Sequence, residues 1–566
     1  MQIRHVKVEN FRGIKKLDWH IPSNLVCIIG GGDSCKTTLL DAIELALSSS
    51  PSVAIDDSDF FNMDVTQKVT IQVTLGGLGE SLELERLLLA ESNYGLYIRG
   101  YRDGLIIDEP EDGAEKVLTV EFIVDEELEP QWRVIAPGRH DPKPIRKFHL
   151  EKLGTAKLGS YADWHFSWSK NSMISRLLGK DVREINRALA AVGRKARSES
   201  LDLEVFQEQA TSLKELVEEF GVKAGEYTPR LDIQALTVKS GGLSLHDDGV
   251  PIKRHGTGTK RLIALAIQKK LHEGKNIKLI DEIEYGLEPY RITQAMNKIH
   301  SSAGQTFITT HSPVVIREAL VDNITSFHST NGEVVATSLA VGLSDESKNA
   351  LQGTLRTHAE SFLSNKIIVC EGATEIGLSR ALDGYRQSKK TKKAFAALGV
   401  ATLSANGYTE CAPIAERLKI AGYDVAIFCD SDKELTKTDD ELNAQGIAVM
   451  RWSEKRCTEE AIFADLSEEL LVILMAQAYK NKSEVDVRSM IISRGVQDLD
   501  EKPVNWPWSD AEFRAKVGKA ASLGSWFKSI TYGQVLGGLM FDSIDSEDQS
   551  KNFCTVIANL SQWCDK

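Results

Sequence analysis

Glycine-rich and acidic segments of this sequence fall into two sets, and each set has the residue types that phosphate chemistry requires. The first set comprises a glycine-rich loop, a short Gly- and Lys-containing motif, an acidic strand end and a Thr-Thr-His-Ser-Pro segment, at Gly30–Thr38, His255–Arg261, Ile277–Pro289 and Thr309–Pro313. The second set follows it, at Val369–Glu375 and Phe428–Asp432. The first set predicts an ATPase, and the second predicts a metal site acting on nucleic-acid phosphates. Their order in one chain predicts a nuclease controlled by a nucleotide.

The glycine-rich loop has the residues of a phosphate-binding loop at all but one position. It lies between an apolar strand and a helix, and its backbone N–H groups would wrap the phosphates. Lys36 would reach the β- and γ-phosphate oxygens and Thr37 would hold Mg²⁺, with Gly30 and Thr38 completing the nucleotide site. Cys35 stands where a second glycine is expected. Either the loop has adapted to this side chain, or the side chain crowds the phosphates and slows turnover.

Three later segments complete the predicted ATPase. A strand ends at Asp281 and Glu282, where the first acid would hold Mg²⁺ through water and the second would polarise the attacking water. Gly258 lies at the start of a predicted helix. That helix N-terminus would meet a γ-phosphate in trans and so couple nucleotide binding to dimerisation. His311 follows another strand and would sense the γ-phosphate.

The second set predicts a divalent-metal site. Glu371 ends a short apolar strand and Glu375 follows four residues later on the next helix, so that both carboxylates can face one cation. A second apolar strand ends at Asp430 and Asp432, which lie on one side of the turn. Carboxylate oxygens of this kind suit Mg²⁺ or Mn²⁺.

The first set resembles the ABC-type ATPases of the SMC/Rad50 superclass, and the opening Val8–Gly13 is similar to the first strand and turn of that group. The stretch Ile280–Pro289 resembles the Walker B and D-loop region of the OLD (overcoming lysogenization defect) branch. That branch usually has Pro and His where Ile283 and Glu288 stand. The resemblance therefore predicts an ATPase of this type with two departures from its pattern.

The second set resembles a Toprim domain, the metal-binding fold of OLD-family nucleases. This resemblance implies a further metal ligand at Glu459 rather than Glu460, and a catalytic lysine at Lys528. The alternative for Lys528 is an exposed lysine beside a Trp-Phe anchor. Two Mg²⁺ or Mn²⁺ ions would then be held by the acids Glu371, Glu375, Asp430, Asp432 and Glu459. The implied catalytic residues are Glu371, Asp430, Asp432 and Lys528, with Glu282 in the ATPase.

The OLD resemblance implies an α/β protein with two different domains. An ABC-type (SMC/Rad50-like) ATPase would occupy residues 1–160 and 231–355, interrupted by a helical insertion at 161–230 that would support dimerisation. A Toprim α/β domain with C-terminal helices would occupy residues 356–566. The implied cofactors are ATP with Mg²⁺ and the Toprim metal ions. The implied partners are DNA, a second copy in a homodimer or larger homo-oligomer, and a protein of an antiphage defence system.

Gabija-type and retron-associated nucleases are the similar defence effectors, so that the defence partner would be a helicase-like protein or a retron reverse transcriptase with its nucleic acid. The predicted function is an ATP-binding, divalent-metal-dependent DNA endonuclease. The rival is a nucleotide-sensing scaffold that binds nucleic acid without cutting it. Cys35 favours this rival, whereas the intact pair Asp430 and Asp432 opposes it.

Composition excludes several other classes. The net charge of −13 over 566 residues argues against broad coating of nucleic acid but leaves local binding open. The eight cysteines form no Cys-x-x-Cys pair, so neither zinc nor a disulfide framework is expected. No apolar run reaches the ~20 residues that span a bilayer, and no signal peptide is present, so a cytoplasmic location is expected. Basic runs at Arg386–Lys393 and Arg194–Arg197 are either nucleic-acid contacts or solvated faces.

Overall fold

A computed structural model describes most of the chain, namely residues 1–48, 53–78, 94–146, 155–159, 245–271, 277–389, 392–497 and 499–566, with isolated positions between 149 and 213. The chain divides into two units, Met1–Gly154 with Gln305–Lys566, and Thr155–Gly304. This division differs from the predicted segments, because residues 305–355 and 356–566 fall in one unit. The predicted helical insertion at 161–230, including Arg194 and Arg197, lies almost wholly outside the described residues.

The first unit holds a mixed sheet of parallel and antiparallel strands. Its strands are β1 (Gln2–Phe11), β2 (Ile14–His20), β3 (Leu25–Ile29), β4 (Val69–Gly76), β5 (Arg99–Arg102), β6 (Leu105–Ile107), β7 (Glu115–Val124), β8 (Gln131–Ala136), β9 (His140–Pro144), β14 (Thr306–Thr309), β15 (Ile324–Thr330) and β16 (Glu333–Ser338). The order runs β14-β3-β15-β16-β2-β1-β4-β7, and β7 then pairs with both β5 and β8. Because β3 is flanked by two parallel strands and is almost fully buried, the loop that follows it starts from a rigid position.

The second unit contains the two parallel strands β10 (Thr155–Leu158) and β13 (Ile277–Ile280). Strands β11 (His246–Asp247) and β12 (Val250–Pro251) form a hairpin. Asp248 and Gly249 have φ values of 45° and 81°, the left-handed pair that a tight two-residue hairpin needs. Helix α1 (Lys36–Ala46) lies in the first unit, and helices α2 (Thr257–Leu271) and α3 (Pro289–His300) lie in the second.

A separate four-stranded sheet occupies the C-terminal part of the first unit. Its strands are β17 (Lys366–Cys370), β18 (Val400–Ser404), β19 (Asp424–Cys429) and β20 (Ile447–Arg451), all parallel and in the order β18-β17-β19-β20. The chain passes from β17 to β18 on one side and then returns across β17 to β19. The carboxyl ends of β17 and β19 therefore form the switch point, where sheets of this kind place their ligands.

Helices surround this sheet and form the largest part of its core. They and the two helices before it are α4 (Pro313–Glu318), α5 (Asp345–Thr357), α6 (Ala373–Ser388), α7 (Phe395–Leu398), α8 (Tyr408–Ile420), α9 (Asp439–Ala444), α10 (Thr458–Asp465), α11 (Glu468–Asn481), α12 (Glu484–Ile492), α13 (Ala511–Leu523), α14 (Ile530–Ser543) and α15 (Asn552–Asp565). Short 3-10 helices lie at Asp57–Asp59, Phe61–Met63, Tyr94–Tyr97, Ile252–Arg254, Val321–Asn323, Ala359–Leu363, Pro503–Asn505 and Ile544–Ser546. Among the described residues, no helix has the length and apolarity to cross a membrane.

Glycines bring α6 and α14 into close contact. A Cβ on Gly377 would lie 2.6 Å from the carbonyl oxygen of Ile530, and a Cβ on Gly533 would lie 2.8 Å from that of Thr374. Further along, a Cβ on Gly537 would lie 2.5 Å from the Cβ of Ala381. Since nothing larger than hydrogen fits at these crossings, the start of α6 is fixed against the chain that leads into α14.

Candidate functional site

The carboxyl ends of β17 and β19 bring two of the predicted acids together. Glu371 follows β17 and Asp430 follows β19, and the backbone N–H of Asp430 donates to Oε2 of Glu371 at 3.2 Å. These strands pair in parallel, with Cys370 opposite Phe428. The strand-end positions predicted from the sequence thus become neighbours because both strands end at the same edge of the sheet.

Glu375 reaches the same place from the first turn of α6. Its Oε2 accepts from the backbone N–H of Gly372 at 2.9 Å, which caps the helix start. Its Oε1 lies 3.2 Å from Oγ1 of Thr458, and only 5% of the residue is exposed. Helix geometry and this capping bond therefore hold a buried carboxylate beside Asp430.

Thr458 joins these acids, in a role that its sequence context did not predict. Its backbone N–H and its hydroxyl both donate to Oδ1 of Asp430, each at 2.8 Å. The residue is the first of α10 and is almost fully buried, and its Oγ1 accepts from Nε1 of Trp452 at 3.0 Å. The only available signal was its place directly before Glu459. Thr458 positions Asp430 through the free N–H groups of a helix start.

Glu459 and Glu460 have different surroundings. Glu459 is 2% exposed, and among the described residues its Oε1 has no hydrogen-bond partner. Glu460 accepts from the backbone N–H of Cys457 at 3.2 Å and forms an ion pair with Lys519 at 3.1 Å. A buried carboxylate oxygen without a donor is costly unless a cation or proton meets it. Of these two residues, Glu459 is the one with a buried carboxylate oxygen, Oε1, that lacks a partner among the described residues.

Burial and mutual repulsion raise the pKa values of the clustered acids. For Glu371 the larger cause is burial and the next is the charge of Asp430. Burial likewise leads for Glu375, Asp430 and Glu459, and the charge of Asp430 further raises the pKa values of both glutamates. Carboxylates that are buried together bind a proton or a divalent cation to relieve the repulsion.

Asp432 and Lys528 lie at the exposed rim. The Asp432 charge contributes to the raised pKa of Asp430, while the Lys528 charge opposes the rise at Glu459. Lys528 is exposed and follows Trp526 and Phe527, which are both fully buried. Lys528 thus follows a buried Trp-Phe anchor, as the alternative interpretation expects. Its charge also acts on one of the acids, Glu459.

The acids are spread around the site rather than gathered at one point. Among the described residues, no three of these carboxylates bring ligand oxygens within 4.8 Å of one another, whereas His5, Asp18 and His20 do bring ligand atoms that close. The donor set is nevertheless that of a hard cation, since every candidate ligand is a carboxylate. The unpartnered oxygen of Glu459 and the raised pKa values fit a divalent cation at this place.

The basic run at Arg386 has structural partners. Arg386 is fully buried, and its Nη2 lies 2.5 Å from Oδ1 of Asp565 while its Nη1 donates to the carbonyl oxygen of Ser561 at 2.8 Å. Lys389 pairs with Asp545 at 2.6 Å and Lys392 pairs with Asp565 at 2.8 Å. These contacts hold α15 against α6 and leave little of this run for nucleic acid; Lys390 lies outside the described residues.

The glycine-rich loop forms the predicted strand–loop–helix unit between β3 and α1. Gly30 has a φ of 152°, and a Cβ there would clash with the carbonyl oxygen of Phe327. Lys36, the first residue of α1, points its side chain back into the loop and donates from Nζ to the carbonyl oxygens of Gly30 and Gly31, at 3.0 and 2.8 Å, and to Oγ of Ser34 at 2.9 Å. Its ammonium group therefore lies where loops of this kind hold phosphate oxygens.

Cys35 keeps the backbone conformation that the expected glycine would have. Its φ is 64°, in the left-handed region, and it is the residue before α1. A Cβ on Gly13 would lie 3.0 Å from the sulfur, so the absence of a side chain at Gly13 provides space for this one. Burial raises the pKa of the thiol, which keeps it uncharged beside a phosphate site. Compared with a glycine, a cysteine in this left-handed conformation costs about 1–2 kcal/mol of backbone strain.

A cavity of about 290 Å³ lies between the phosphate-binding loop and the amino ends of β17 and β19. Gly31–Ser34 line one side, and Asn365, Gly422 and Asp424 line the other. A Cβ on Gly31 would lie 2.6 Å from Oδ1 of Asn365, so the two segments are in contact. The same two strands carry Glu371 and Asp430 at their other ends.

The remaining ATPase residues divide between the two units. His311 follows β14 in the first unit and is exposed, and the neighbouring Thr310 N–H donates to the carbonyl oxygen of Ile28 at 3.3 Å. Gly258, Asp281 and Glu282 belong to the second unit. The first unit thus carries the phosphate-binding loop and His311, and the second carries Gly258, Asp281 and Glu282.

In the second unit the start of α2 packs against the turn after β13. A Cβ on Gly258 would lie 2.5 Å from the carbonyl oxygen of Gly286, which explains the glycine. Arg261, 2% exposed, donates to the carbonyl oxygens of Gly159, Asp281 and Glu282. Glu282 has a φ of 46°. Arg261 thus fixes the backbone of both predicted acids, a positioning role that the sequence motif did not suggest.

A strand, a glycine-rich loop that encloses its own lysine, and a following helix define a P-loop nucleotide-binding domain. The chain belongs to the family described as "AAA domain, putative AbiEii toxin, Type IV TA system", whose model matches residues 25–317, slightly more than half of the chain. This match confirms the predicted ATP-binding ATPase domain within an α/β fold. The OLD-type Toprim nuclease remains a prediction.

Three solved structures of Smc heads are similar to the chain. The head bound to the C-winged helix domain of ScpA has a TM-score of 0.33 at 14% identity, covering 61% of this chain and 100% of that one. The Pyrococcus furiosus head with an extended coiled coil, bound to the C-terminal domain of ScpA, has a TM-score of 0.34 at 13% identity. It covers 62% of this chain and 99% of that one. The Thermotoga maritima head has a TM-score of 0.29 at 15% identity, covering 60% of this chain and 100% of that one. Comparison with curated proteins gives no match.

Proposed function

We propose that the protein is an ATP-binding, divalent-metal-dependent DNA endonuclease of the OLD type that acts in antiphage defence. The observation that carries the proposal is the buried, unpartnered Oε1 of Glu459 beside acids at the switch point of a parallel sheet. The family description names a toxin of a toxin–antitoxin system, which agrees with a defence role. Cutting would occur at the acids, and the ATPase domain would control it.

The proposed metal ligands are the five acids of this site, Glu371, Glu375, Asp430, Asp432 and Glu459. When bound, Mg²⁺ or Mn²⁺ would activate water and stabilise the leaving oxygen of the phosphodiester. Glu371 and Asp430 are held at adjacent strand ends, so they would fix the reacting phosphate relative to the rigid sheet. Thr458 orients Asp430 through its two hydrogen bonds, which also lower the pKa of Asp430 against the rise that burial causes.

Lysines at the rim supply the positive charge that a nucleic-acid backbone needs. Lys528 is exposed and acts electrostatically on Glu459, and the charge of Lys433 acts on Glu371. In the proposed reaction Lys528 contacts the scissile phosphate and neutralises charge in the transition state. Because the whole chain carries a net charge of −13, these lysines rather than the overall charge would bring DNA to the acids.

Nucleotide control would act through the cavity beside the phosphate-binding loop. Asn365 contacts Gly31 and directly precedes β17, and its carbonyl oxygen accepts from the N–H of Asp424 at the start of β19, at 3.1 Å. When ATP binds, Lys36 would exchange its hydrogen bonds with the loop carbonyls for bonds to the phosphates. This exchange would change the conformation of the loop at Gly31, which Asn365 contacts. We expect Asn365→Ala to leave metal-dependent cutting intact but to weaken its response to ATP; an unchanged response would exclude this route.

Assembly is part of the same proposal. The start of α2 would meet a γ-phosphate held by a second copy, which predicts a homodimer or larger homo-oligomer that ATP stabilises. A helicase-like protein or a reverse transcriptase with its nucleic acid would supply the activating signal. Lys36→Ala should weaken ATP binding and with it any ATP-dependent change in mass measured by light scattering.

The second candidate is a nucleotide-sensing scaffold that binds nucleic acid without cutting it. Two observations favour this candidate: among the described residues no three of the carboxylates bring oxygens within 4.8 Å of one another, and Cys35 has a strained backbone. Plasmid DNA incubated with Mn²⁺, with and without a chelator, separates the two. Nicking that requires the metal and is lost in Glu459→Gln but kept in Glu460→Gln supports the nuclease. DNA binding without nicking in any of these proteins supports the scaffold.

A further inference from the structure

A second group of potential metal ligands lies on the first hairpin, far along the chain from the acids. His5 on β1 and His20 on β2 are directly opposite one another in the antiparallel register, and Asp18 lies two residues before His20 on the same strand. Side chains two residues apart on a strand share a face. The three side chains therefore project from one face of a paired, rigid hairpin.

The ligand atoms of these three residues converge. One nitrogen or oxygen from each lies within 4.8 Å of those of the other two. His5 Nε2 and Asp18 Oδ1 are 2.6 Å apart, and the two imidazole ring centroids are 4.3 Å apart. His5 is 8% exposed, whereas Asp18 and His20 are exposed to solvent. A cation would thus reach the group from one side and meet a fixed, buried ligand on the other.

The charges around the group also permit a cation. Lys7 pairs with Glu9 at 2.9 Å, and Arg4 pairs with Glu115 at 2.7 Å, so both neighbouring cationic side chains have carboxylate partners. The Tyr101 ring stacks on His20 with centroids 6.2 Å apart and limits its rotation.

We propose that His5, Asp18 and His20 bind one divalent transition-metal cation of the Zn²⁺ class, with water as the remaining ligand. Two imidazoles and one carboxylate form a borderline-soft donor set that suits Zn²⁺ better than Mg²⁺. The cation would replace the His5–Asp18 hydrogen bond and link β1 to β2 at the open end of the hairpin. This site does not depend on the nuclease proposed above.

Zn²⁺ titration of the full-length protein against a chromophoric chelator tests the site, with excess Mg²⁺ present to occupy the carboxylate sites. We expect one tight Zn²⁺ ion per chain, and a loss of affinity of at least about tenfold in His20→Ala and in Asp18→Asn. His300→Ala, which changes an exposed histidine elsewhere, should leave the affinity unchanged. Circular dichroism of each variant establishes that it is folded.

Substitution with Co²⁺ provides a second readout. Cobalt in a site with imidazole ligands gives visible absorption bands, and these should disappear in His20→Ala but persist in His300→Ala. Equal zinc stoichiometry and affinity in the parent, His20→Ala and Asp18→Asn would overturn the proposal, because the tight ion would then be held elsewhere. A parent that binds no zinc in competition with the chelator would overturn it as well.

Discussion

Replacing Thr458 with valine tests how a hydrogen bond opposes the raised pKa of Asp430. Valine retains the shape and the backbone N–H but removes the hydroxyl, whose Oγ1 lies 2.8 Å from Oδ1 of Asp430. A hydroxyl that donates to a carboxylate stabilises its ionised form, so Thr458 lowers the pKa of Asp430 against the rise that burial causes. We therefore expect Thr458→Val to raise the pKa of Asp430 further.

The size of the effect follows from the bond that is lost. A hydrogen bond to a charged group contributes about 1.5–3 kcal/mol, and a loss of about 2 kcal/mol raises a pKa by about 1.5. A metal ion must displace the proton from Asp430, so affinity falls where the pH lies below the raised pKa. There the dissociation constant should rise by up to about thirtyfold. At pH values above both pKa values, the parent and the variant should bind equally.

Mn²⁺ binding measured by electron paramagnetic resonance at a series of pH values provides the assay. Thr458→Ser keeps the hydroxyl and should follow the parent, which separates the hydrogen bond from packing. A difference between Thr458→Val and the parent that is the same at every pH would refute the linkage to Asp430. A Thr458→Ser variant as weak as Thr458→Val would refute the role of the hydroxyl.

Three further outcomes are expected. Lys528→Ala should slow single-turnover DNA cleavage more than it weakens DNA binding, with partial recovery in Lys528→Arg; equal rates would make Lys528 a surface residue. Cys35→Gly should relieve the left-handed strain and raise ATP hydrolysis, unless the parent already turns over rapidly. Arg386→Gln should lower the free energy of unfolding in urea by about 3 kcal/mol, and by clearly more than Lys389→Gln, whose ion pair with Asp545 lies at the surface; similar losses would contradict the structural role of Arg386.

The local parts of both sites could be predicted from the sequence because short-range rules govern them. A buried apolar strand, a glycine-rich loop and a helix start are contiguous, so the loop at Gly30–Thr38 followed from its own residues. The acids Glu371 and Asp430 each end an apolar strand, and parallel pairing brings such ends to one edge. The hairpin turn at Asp248 and Gly249 likewise depends on adjacent residues, because Asp-Gly pairs favour its left-handed backbone.

Contacts between distant segments could not be predicted in the same way. Thr458 meets Asp430 only because α10 begins beside the end of β19, and Asn365 meets Gly31 only through packing between two sheets. The basic pattern around Arg386 indicated charge but not its partner Asp565, which lies almost 180 residues later. Such pairs depend on tertiary packing, and one sequence carries no local signal for them.

Cleavage of supercoiled plasmid DNA with Mn²⁺ tests the nuclease assignment most directly, with the parent compared with Asp430→Ala and with Asp440→Ala, an exposed acid on α9. Loss of a ligand from a two-metal clamp should lower the cleavage rate of Asp430→Ala by orders of magnitude, while Asp440→Ala cuts like the parent. Circular dichroism should show the same helix content in all three proteins. Full nicking by a folded Asp430→Ala protein would contradict the assignment of these acids as the catalytic metal site.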